Sequence, residues 1–193
     1  MSRNLIQVDE QIHAEADEIL DQKGLRKILK QYGVVHITGS YSLGLMTWRD
    51  LNIYLENDRM NEDDFFRLGG EIVASFKPVK MSFRNETIAK TEGLPRGLYW
   101  GIYFGDERKG AWKIDVWSMD KEECKKRLEF CETLAKKISP ESRMRILEIK
   151  SQCWPDPHYR KYYTSNDIYT AVLDKHANDI ESFKIYLQNK LSI

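Results

Sequence analysis

Residues 34–55, VVHITGSYSLGLMTWRDLNIYL, carry the side chains of this chain that are best placed to do chemistry. The pattern predicts a strand, a turn at Gly39 and Ser40, and a second strand that opens with Asp50 and Asn52. Residues two apart on a strand point to the same face, so these two oxygen-bearing side chains should lie side by side. Oxygen ligands on a rigid strand beside a small-residue turn indicate a site for Mg²⁺ and phosphate.

A further carboxylate, Asp115, lies in the apolar segment AWKIDVW between Ile114 and Val116. If its strand neighbours the strand of Asp50 in one sheet, Asp50, Asn52 and Asp115 converge on the open face. Close carboxylates repel one another unless a cation lies between them. We therefore predict that these three residues bind a divalent metal ion. Mg²⁺ is the expected ion because it prefers a few carboxylate oxygens plus substrate phosphates.

The turn before the second strand has the composition of a phosphate-binding loop. Gly39 lets a phosphate approach the backbone, and Ser40 adds a hydroxyl donor where a short helical segment presents free N–H groups. Arg49 stands directly before the acidic pair. A surface position is the ordinary role of such an arginine, and a phosphate contact is the alternative. Gly39, Ser40 and Arg49 are therefore the candidate phosphate-binding residues.

Two aromatic features allow two interpretations each. The run HYRKYY at 158–163 favours a connector whose tyrosines pack, with the lining of a ligand cleft as the alternative. The tryptophans at 100, 112 and 117 lie on or beside the predicted strands. Core packing is typical of such residues, and stacking on a base or an acceptor is the alternative.

A sheet and several helices must position these residues, and hydrophobic periodicity predicts both. Strands are predicted at 34–38, 51–55, 79–83, 98–104 and 111–117, the last two as a hairpin around the polar turn GDERKG. Helices are predicted at 8–32, 61–76, 120–138, 140–153, 165–173 and 178–191. The sequence thus indicates a mixed α/β domain over residues 1–120 and a helical region over residues 121–193.

Composition restricts the class of protein. The chain has 193 residues, with 30 basic and 30 acidic side chains, so its formal net charge is zero. That balance does not favour a general binder of nucleic acid or anionic membranes, although a local basic patch is compatible with it. No apolar run approaches the roughly 18 residues of a membrane span, and the N-terminus lacks a signal-peptide core. We therefore expect a cytoplasmic protein with no membrane partner, and its oligomeric state stays unassigned.

Taken together, these motifs resemble those of the nucleotidyltransferase superfamily, which includes DNA polymerase β and the aminoglycoside and lincosamide nucleotidyltransferases. The superfamily signature is Gly-Gly or Gly-Ser after a hydrophobic residue, then Asp-hydrophobic-Asp or Glu, then a later hydrophobic-Asp-hydrophobic element. Here Gly39 and Ser40 follow Ile37-Thr38, Asp50-Leu51-Asn52 stands at the pair, and Ile114-Asp115-Val116 at the third element. The resemblance covers roughly residues 34–117. It implies an α/β (α+β) fold: a nucleotidyltransferase-like mixed β-sheet flanked by helices, followed by a C-terminal helical region.

The resemblance also implies an activity. Members transfer a nucleoside monophosphate from a nucleoside triphosphate to an acceptor hydroxyl, and their acidic residues hold two divalent ions. By position, Gly39 and Ser40 contact the nucleotide's phosphates, Asp50 binds metal, and Asp115 binds a second metal or acts as base. Asp50 and Asp115 are thus the expected catalytic residues, with Mg²⁺ as cofactor and ATP as the expected triphosphate. We expect a small-molecule acceptor, with nucleic acid unlikely but not excluded.

Asn52 stands where the family has its second acid. An amide carbonyl still ligates Mg²⁺, but it brings no negative charge, and metal affinity falls with the charge of the ligands. A rate loss of roughly 100- to 1000-fold is compatible with this change, at about 1.4 kcal/mol per decade. The alternative function is therefore a catalytically weak or inactive nucleotidyltransferase-like module that binds a nucleotide or a protein.

Overall fold

A mixed five-stranded sheet forms the centre of the chain in a computed structural model, which describes residues 2–191. The strands are β1 (Val34–Thr38), β2 (Asp50–Glu56), β3 (Lys80–Asn85), β4 (Leu98–Tyr103) and β5 (Lys113–Met119). Their spatial order is β1-β2-β5-β4-β3, and the β2–β5 pair is parallel whereas the other pairs are antiparallel. The predicted strands are therefore present, and the predicted hairpin forms between β4 and β5.

Helices surround the sheet and continue beyond it. They are α1 (Ser2–Asp17), α2 (Leu25–Leu29), α3 (Ser40–Leu43), α4 (Glu62–Phe76), α5 (Glu86–Ala89), α6 (Lys121–Lys137), α7 (Pro140–Cys153), α8 (Ser165–Lys175) and α9 (Ile180–Leu191). The single helix predicted at 8–32 is instead divided. A π-helical turn at Glu18–Gln22 follows α1, and Gly24, with φ of 83°, separates that turn from α2. None of the helices in the described part of the chain is long and apolar enough to cross a membrane.

One face of the sheet is apolar and forms the main core. Alternate residues of β2, namely Leu51, Ile53 and Leu55, are fully buried on this face. Helix α4 packs against it through a helical stripe that includes Phe65 and Leu68. This burial fixes the register of β2, because a shift of one residue would expose the apolar set. The opposite face of β2 is therefore left to its polar residues.

A second core lies among α7, α8 and α9 and extends to the loop before β2. Leu45 and Trp48 of that loop are buried in it. The Asp9 carboxylate of α1 accepts hydrogen bonds from the Met46 N–H at 2.6 Å and from the Arg143 guanidinium of α7 at 2.7 Å. The helical region is thus fixed against the loop that leads into β2. The domain division at residue 120 stays a prediction.

The buried face of β2 gives the first testable prediction. We expect Leu51→Ala to lower the free energy of unfolding by about 2–5 kcal/mol, because it removes a fully buried side chain and leaves a cavity. Urea unfolding followed by circular dichroism measures this change. Ile88→Ala is the control, since Ile88 is 75% exposed and its truncation should alter stability by no more than about 0.5 kcal/mol. Equal effects of the two changes would contradict the assignment of the core.

Candidate active site

The predicted acidic residues lie together on the polar face of the sheet. In the parallel ladder between β2 and β5, Asn52 stands opposite Asp115, and Asp50 stands opposite Lys113. All four side chains therefore point to the same face. The side chains of Asp50 and Asp115 are 16% and 12% exposed, respectively. The structure thus brings the three predicted metal ligands to one place.

The Gly39–Ser40 turn packs directly against this cluster. Gly39 has φ of 68° and ψ of −140°, a conformation that strongly favours glycine. A Cβ atom at this position would lie 3.5 Å from the side chain of Asn52. The turn therefore holds its backbone next to the polar face of β2, as the sequence predicts for a phosphate-binding loop.

A cleft opens over the polar face of the sheet. Its main part has a volume of about 610 Å³, and an adjoining part of about 210 Å³ reaches Gly39 and Ser40. Both parts share Asp50 and Asn52 in their walls. The main part is bordered by aromatic residues and by arginines: Trp48, Tyr54, Tyr99, Trp117, Tyr159, Arg84, Arg127 and Arg160. The cleft is large enough for a nucleotide-sized ligand.

Lys113 places a positive charge between the two carboxylates. Its Nζ atom lies 2.5 Å from Asp115 Oδ2 and 3.7 Å from Asp50 Oδ1, and its side chain is 8% exposed. Burial disfavours the ammonium, but the negative charges of Asp50 and Asp115 outweigh this effect and raise the pKa of Lys113. Lys113 is therefore charged in the folded protein and neutralises part of the cluster.

Asp115 is held from both sides. The Tyr99 hydroxyl donates a hydrogen bond to Asp115 Oδ1 at 2.6 Å, and Lys113 holds the other carboxylate oxygen. Burial raises the pKa of Asp115 above its ordinary value; the Lys113 charge opposes this change and the Asp50 charge adds to it. A carboxylate with a raised pKa is a stronger base than an ordinary aspartate.

The donor set fits one divalent ion. Asp50 Oδ1 is a buried carboxylate oxygen without a hydrogen-bond partner, which is the kind of atom that a cation binds. Asp115 faces it across the ladder, and the Asn52 amide donates to Asp50 Oδ2 at 3.1 Å, which leaves its carbonyl oxygen as a neutral donor. Two carboxylates and one ammonium leave a single net negative charge at this place. That charge suits one Mg²⁺ better than two.

A second buried lysine lies directly behind Ser40, a residue that lines the smaller part of the cleft. Lys150 of α7 is fully buried, and its Nζ atom donates to Ser40 Oγ and, at 2.8 Å, to the Leu45 carbonyl oxygen. Within the described residues, no carboxylate forms an ion pair with this ammonium. A buried cation without a counter-ion favours an anionic ligand. Ser40 and Lys150 therefore form a pair of donors suited to a phosphate.

Arg49 is the one predicted site residue that the structure does not bring to the cleft. Its guanidinium pairs with the Glu15 carboxylate through contacts of 2.6 and 2.7 Å, and it donates to the Gly110 carbonyl oxygen at 3.3 Å. Asp50 lines the cleft and its neighbour Arg49 does not, so Arg49 has no place in the phosphate-binding group.

Three functional candidates were not singled out from the sequence. Lys113 had a usable signal, because it lies two residues from Asp115 and therefore on the same strand face. Lys150 had a weaker signal, a lysine among the apolar residues of ILEIKSQC. Arg160 belongs to the run HYRKYY, and both it and Tyr159 border the cleft while Tyr159 is also buried. The run therefore packs into the core through Tyr159 and lines the cleft through Arg160.

Comparison of the sequence with protein-family models and with curated protein sequences finds no match. Comparison with solved structures does find matches. A cytoplasmic RNA terminal U-transferase aligns with a TM-score of 0.54 at 16% identity, over 89% of this chain and 50% of that chain. A mutant Cid1 poly(U) polymerase bound to MgATP gives 0.57 at 15% identity, over 89% and 54% of the two chains. The GLD-2/RNP-8 complex gives 0.51 at 11% identity, over 90% and 64%.

These structures share a nucleotidyltransferase-like fold with this chain, so the fold predicted from the sequence motifs is confirmed. The chain spans about half the length of the two transferases that it matches. At this level of identity, the similarity establishes the architecture and leaves the activity to be argued from the site.

The expectation of a small-molecule acceptor, with nucleic acid unlikely, is wrong. The matched structures include an RNA terminal U-transferase and a Cid1 protein with RNA terminal uridylyl transferase activity. The expectation relied on the zero net charge of the chain, and net charge does not show where basic side chains cluster on the surface. The structure instead gathers Arg84, Arg127 and Arg160 around the cleft.

The cysteines give a prediction that tests the geometry of the cleft. Burial raises the pKa of both Cys124 and Cys153 to about 11, whereas Cys131 is partly exposed and borders the part of the cleft near Gly39. We expect Ellman's reagent at pH 8 to modify one of the three thiols rapidly in the native protein. Cys131→Ser should abolish the rapid phase, and Cys153→Ser should leave it intact. Two rapid thiols in the folded protein would contradict this arrangement.

Proposed function

We propose that this chain, which has a nucleotidyltransferase-like fold, transfers a nucleoside monophosphate from a nucleoside triphosphate to the 3′ hydroxyl of an RNA. The observation that carries the proposal is a cleft lined by Asp50, Asp115 and Ser40, with the buried Lys150 ammonium hydrogen-bonded to Ser40 from behind. Carboxylates beside a phosphate-binding corner are the groups that nucleotidyl transfer requires. ATP is the triphosphate to be tested first.

The phosphates are bound by the residues around the glycine-serine turn. The Ser40 hydroxyl and the Lys150 ammonium are hydrogen-bonded to each other and lie against the loop that leads into β2. A triphosphate in this corner supplies the negative charge that Lys150 lacks. Its α-phosphate then points along the cleft towards Asp50 and Asp115, which are reached from the same space.

The transfer step uses Asp115 as its base. The 3′ oxygen of the RNA forms a bond to the α-phosphorus, and its proton passes to the Asp115 carboxylate. The bond between the α-phosphorus and the oxygen bridging to the β-phosphate breaks, and pyrophosphate leaves with that electron pair. Tyr99 and Lys113 orient the carboxylate, and the pKa of Asp115, raised by burial, makes it a better proton acceptor.

Asp50 Oδ1, Asp115 and the Asn52 carbonyl oxygen are the atoms that would hold Mg²⁺. When bound there, the ion supplies positive charge to the phosphoryl group during transfer. The chain contributes two features to metal binding. Asp50 Oδ1 has no hydrogen-bond partner, and the strand pairing fixes the positions of Asn52 and Asp115.

The main part of the cleft suits single-stranded RNA. Trp48 and Tyr159 lie edge to face, with ring centroids 6.2 Å apart, and the Arg160 guanidinium lies 4.9 Å from the centre of the Trp48 ring. Aromatic faces and arginines along a groove bind the bases and the phosphates of single strands. These residues border the same part of the cleft as Asp50 and Asp115, beside which an acceptor strand is needed.

A second candidate function is nucleotide binding without turnover. Asn52 removes one negative charge from the expected metal site, and Lys113 adds a positive charge to it. Both changes weaken the hold on a divalent ion. In this case the chain binds a nucleoside triphosphate with no release of pyrophosphate, and Asn52→Asp creates measurable turnover.

Transfer of α-labelled ATP to a single-stranded RNA oligonucleotide tests the proposed reaction. We expect label at the RNA 3′ end, release of pyrophosphate, and a rate about 10²- to 10⁴-fold lower for Asp115→Asn, because that change removes the proton acceptor. Asp63→Asn, a change on the exposed first turn of α4, should have the wild-type rate.

An RNA that ends in a 3′-deoxynucleotide should accept no label, because it lacks the attacking hydroxyl. Wild-type activity in Asp115→Asn would refute the role of that residue. Nucleotide binding with no transfer to any RNA would favour the second candidate function.

Lys150 gives an independent prediction about nucleotide binding. We expect Lys150→Met to raise the Kd of a fluorescent ATP analogue at least about tenfold, since it removes the buried cation of the phosphate corner. The melting temperature should not fall greatly, because a methionine fills a similar volume without a buried charge. Lys126→Met, on the exposed face of α6, is the matched control. An unchanged Kd in Lys150→Met would place the triphosphate elsewhere.

A further inference from the structure

We propose that the Lys113 ammonium is a built-in cation that replaces one of two divalent ions, so that this site takes a single metal ion with its triphosphate. The proposal deepens the function proposed above and rests on it for the identity of the bound nucleotide. It concerns the charge that stabilises the reacting phosphate. Sites with two ions use them as a clamp on the attacking and leaving oxygens.

The position of the ammonium is the first argument. Lys113 Nζ lies between Asp115 Oδ2, at 2.5 Å, and Asp50 Oδ1, at 3.7 Å. An ion shared by these two carboxylates would occupy the same space. The ammonium is closer to Asp115, so the ion that it replaces is the one that Asp115 would help to hold. The other ion would be held by Asp50 and the Asn52 carbonyl oxygen, with Asp115 as a shared ligand.

The charge of the cluster is the second argument. Asn52 contributes an amide where a third carboxylate would stand, and its N–H group donates to Asp50 Oδ2 at 3.1 Å. With one Mg²⁺ bound, the two carboxylates, the ammonium and the ion already have a net positive charge before the triphosphate is counted, so the protein groups do not balance a second divalent ion. A second divalent ion would therefore meet repulsion from both the first ion and Lys113. The loss of one acid and the gain of one lysine together raise the charge of the site by two, which equals the charge of one divalent ion.

The burial of Lys113 is the third argument. Its side chain is 8% exposed, and its Nζ atom contacts the carboxylates of Asp115 and Asp50, while the Tyr103 ring centre lies 5.9 Å away. A lysine is costly to bury unless its charge is matched. Lys113 meets this condition because it lies on the same strand face as Asp115, two residues away. Its ammonium therefore neutralises the two carboxylates, as a metal ion would.

Binding of Mn²⁺ to the full chain, followed by electron paramagnetic resonance of the free ion, tests the proposal. With a saturating non-hydrolysable ATP analogue, we expect one bound Mn²⁺ in the wild type and one in Asn52→Asp, where Lys113 still fills the second place. The double variant Asn52→Asp/Lys113→Met should bind two. Two ions in the wild type, or one in the double variant, would refute the proposal.

Mn²⁺ titration without nucleotide separates this proposal from the proposed function. Lys113→Met frees both carboxylates and should bind Mn²⁺ at least about tenfold more tightly than the wild type, whereas Lys113→Arg keeps the charge and should not. Lys109→Met, at an exposed position, is the surface control. If no variant binds the ATP analogue, the proposed function fails, and the metal-only comparison still decides the role of Lys113. Equal Mn²⁺ affinities in Lys113→Met and the wild type would overturn that role.

Folding of the variants is checked by their melting temperatures. Lys113→Met leaves two close carboxylates without a cation, so it should melt at a lower temperature in EDTA and recover with Mg²⁺. The wild type and Lys113→Arg should respond little to Mg²⁺ alone. A Lys113→Met protein that is indifferent to Mg²⁺ would count against the proposal even if its fold is intact.

Discussion

The parallel pairing of β2 with β5 is the constraint on which the rest of the site depends. It alone sets Asp50 opposite Lys113 and Asn52 opposite Asp115, four polar side chains on one face of a rigid sheet. The pairing is in turn fixed by the opposite face, where Leu51, Ile53 and their neighbours are fully buried. A slip of one residue would turn the whole polar set into the core. The site geometry is therefore maintained by hydrophobic burial rather than by the polar groups themselves.

The cluster brings two carboxylates close together, and two buried lysines set the charge on either side of the cleft. At one end Lys113 neutralises Asp50 and Asp115, while at the other Lys150 has a positive charge with Ser40 as a neutral partner. The first cation is matched by protein carboxylates, so it orders the site. The second has no carboxylate partner among the described residues, so its charge favours an anion bound next to Ser40. The polarity of the cleft follows: its acidic end suits a cation and its basic end suits phosphate.

Most of this arrangement was predictable from sequence, because it depends on local periodicity. The alternation in DLNIYLE and the apolar flanks of Asp115 define which residues share a face, and the Gly39–Ser40 turn has a backbone conformation that favours glycine. Three features were not predictable. The division of the helix predicted at 8–32 arises from a π-helical turn, and the withdrawal of Arg49 depends on its distant partner Glu15. The arginines at the cleft come from β3, from α6 and from the loop between α7 and α8, and total charge cannot reveal that they meet.

The helical region is part of the site rather than an appendage to it. Trp48, two residues before Asp50, is buried in the second core against Trp154 and Tyr159, and Lys150 of that core reaches Ser40. The loop between the turn and β2 is therefore held from both sides, by the sheet and by α7. Small shifts of the helices would move the Gly39–Ser40 turn relative to Asp50 and Asp115, because closely packed cores transmit strain. Since transfer rates depend steeply on the alignment of the reacting groups, the transfer proposed above would depend on the packing of α7 on this loop as well as on the carboxylates.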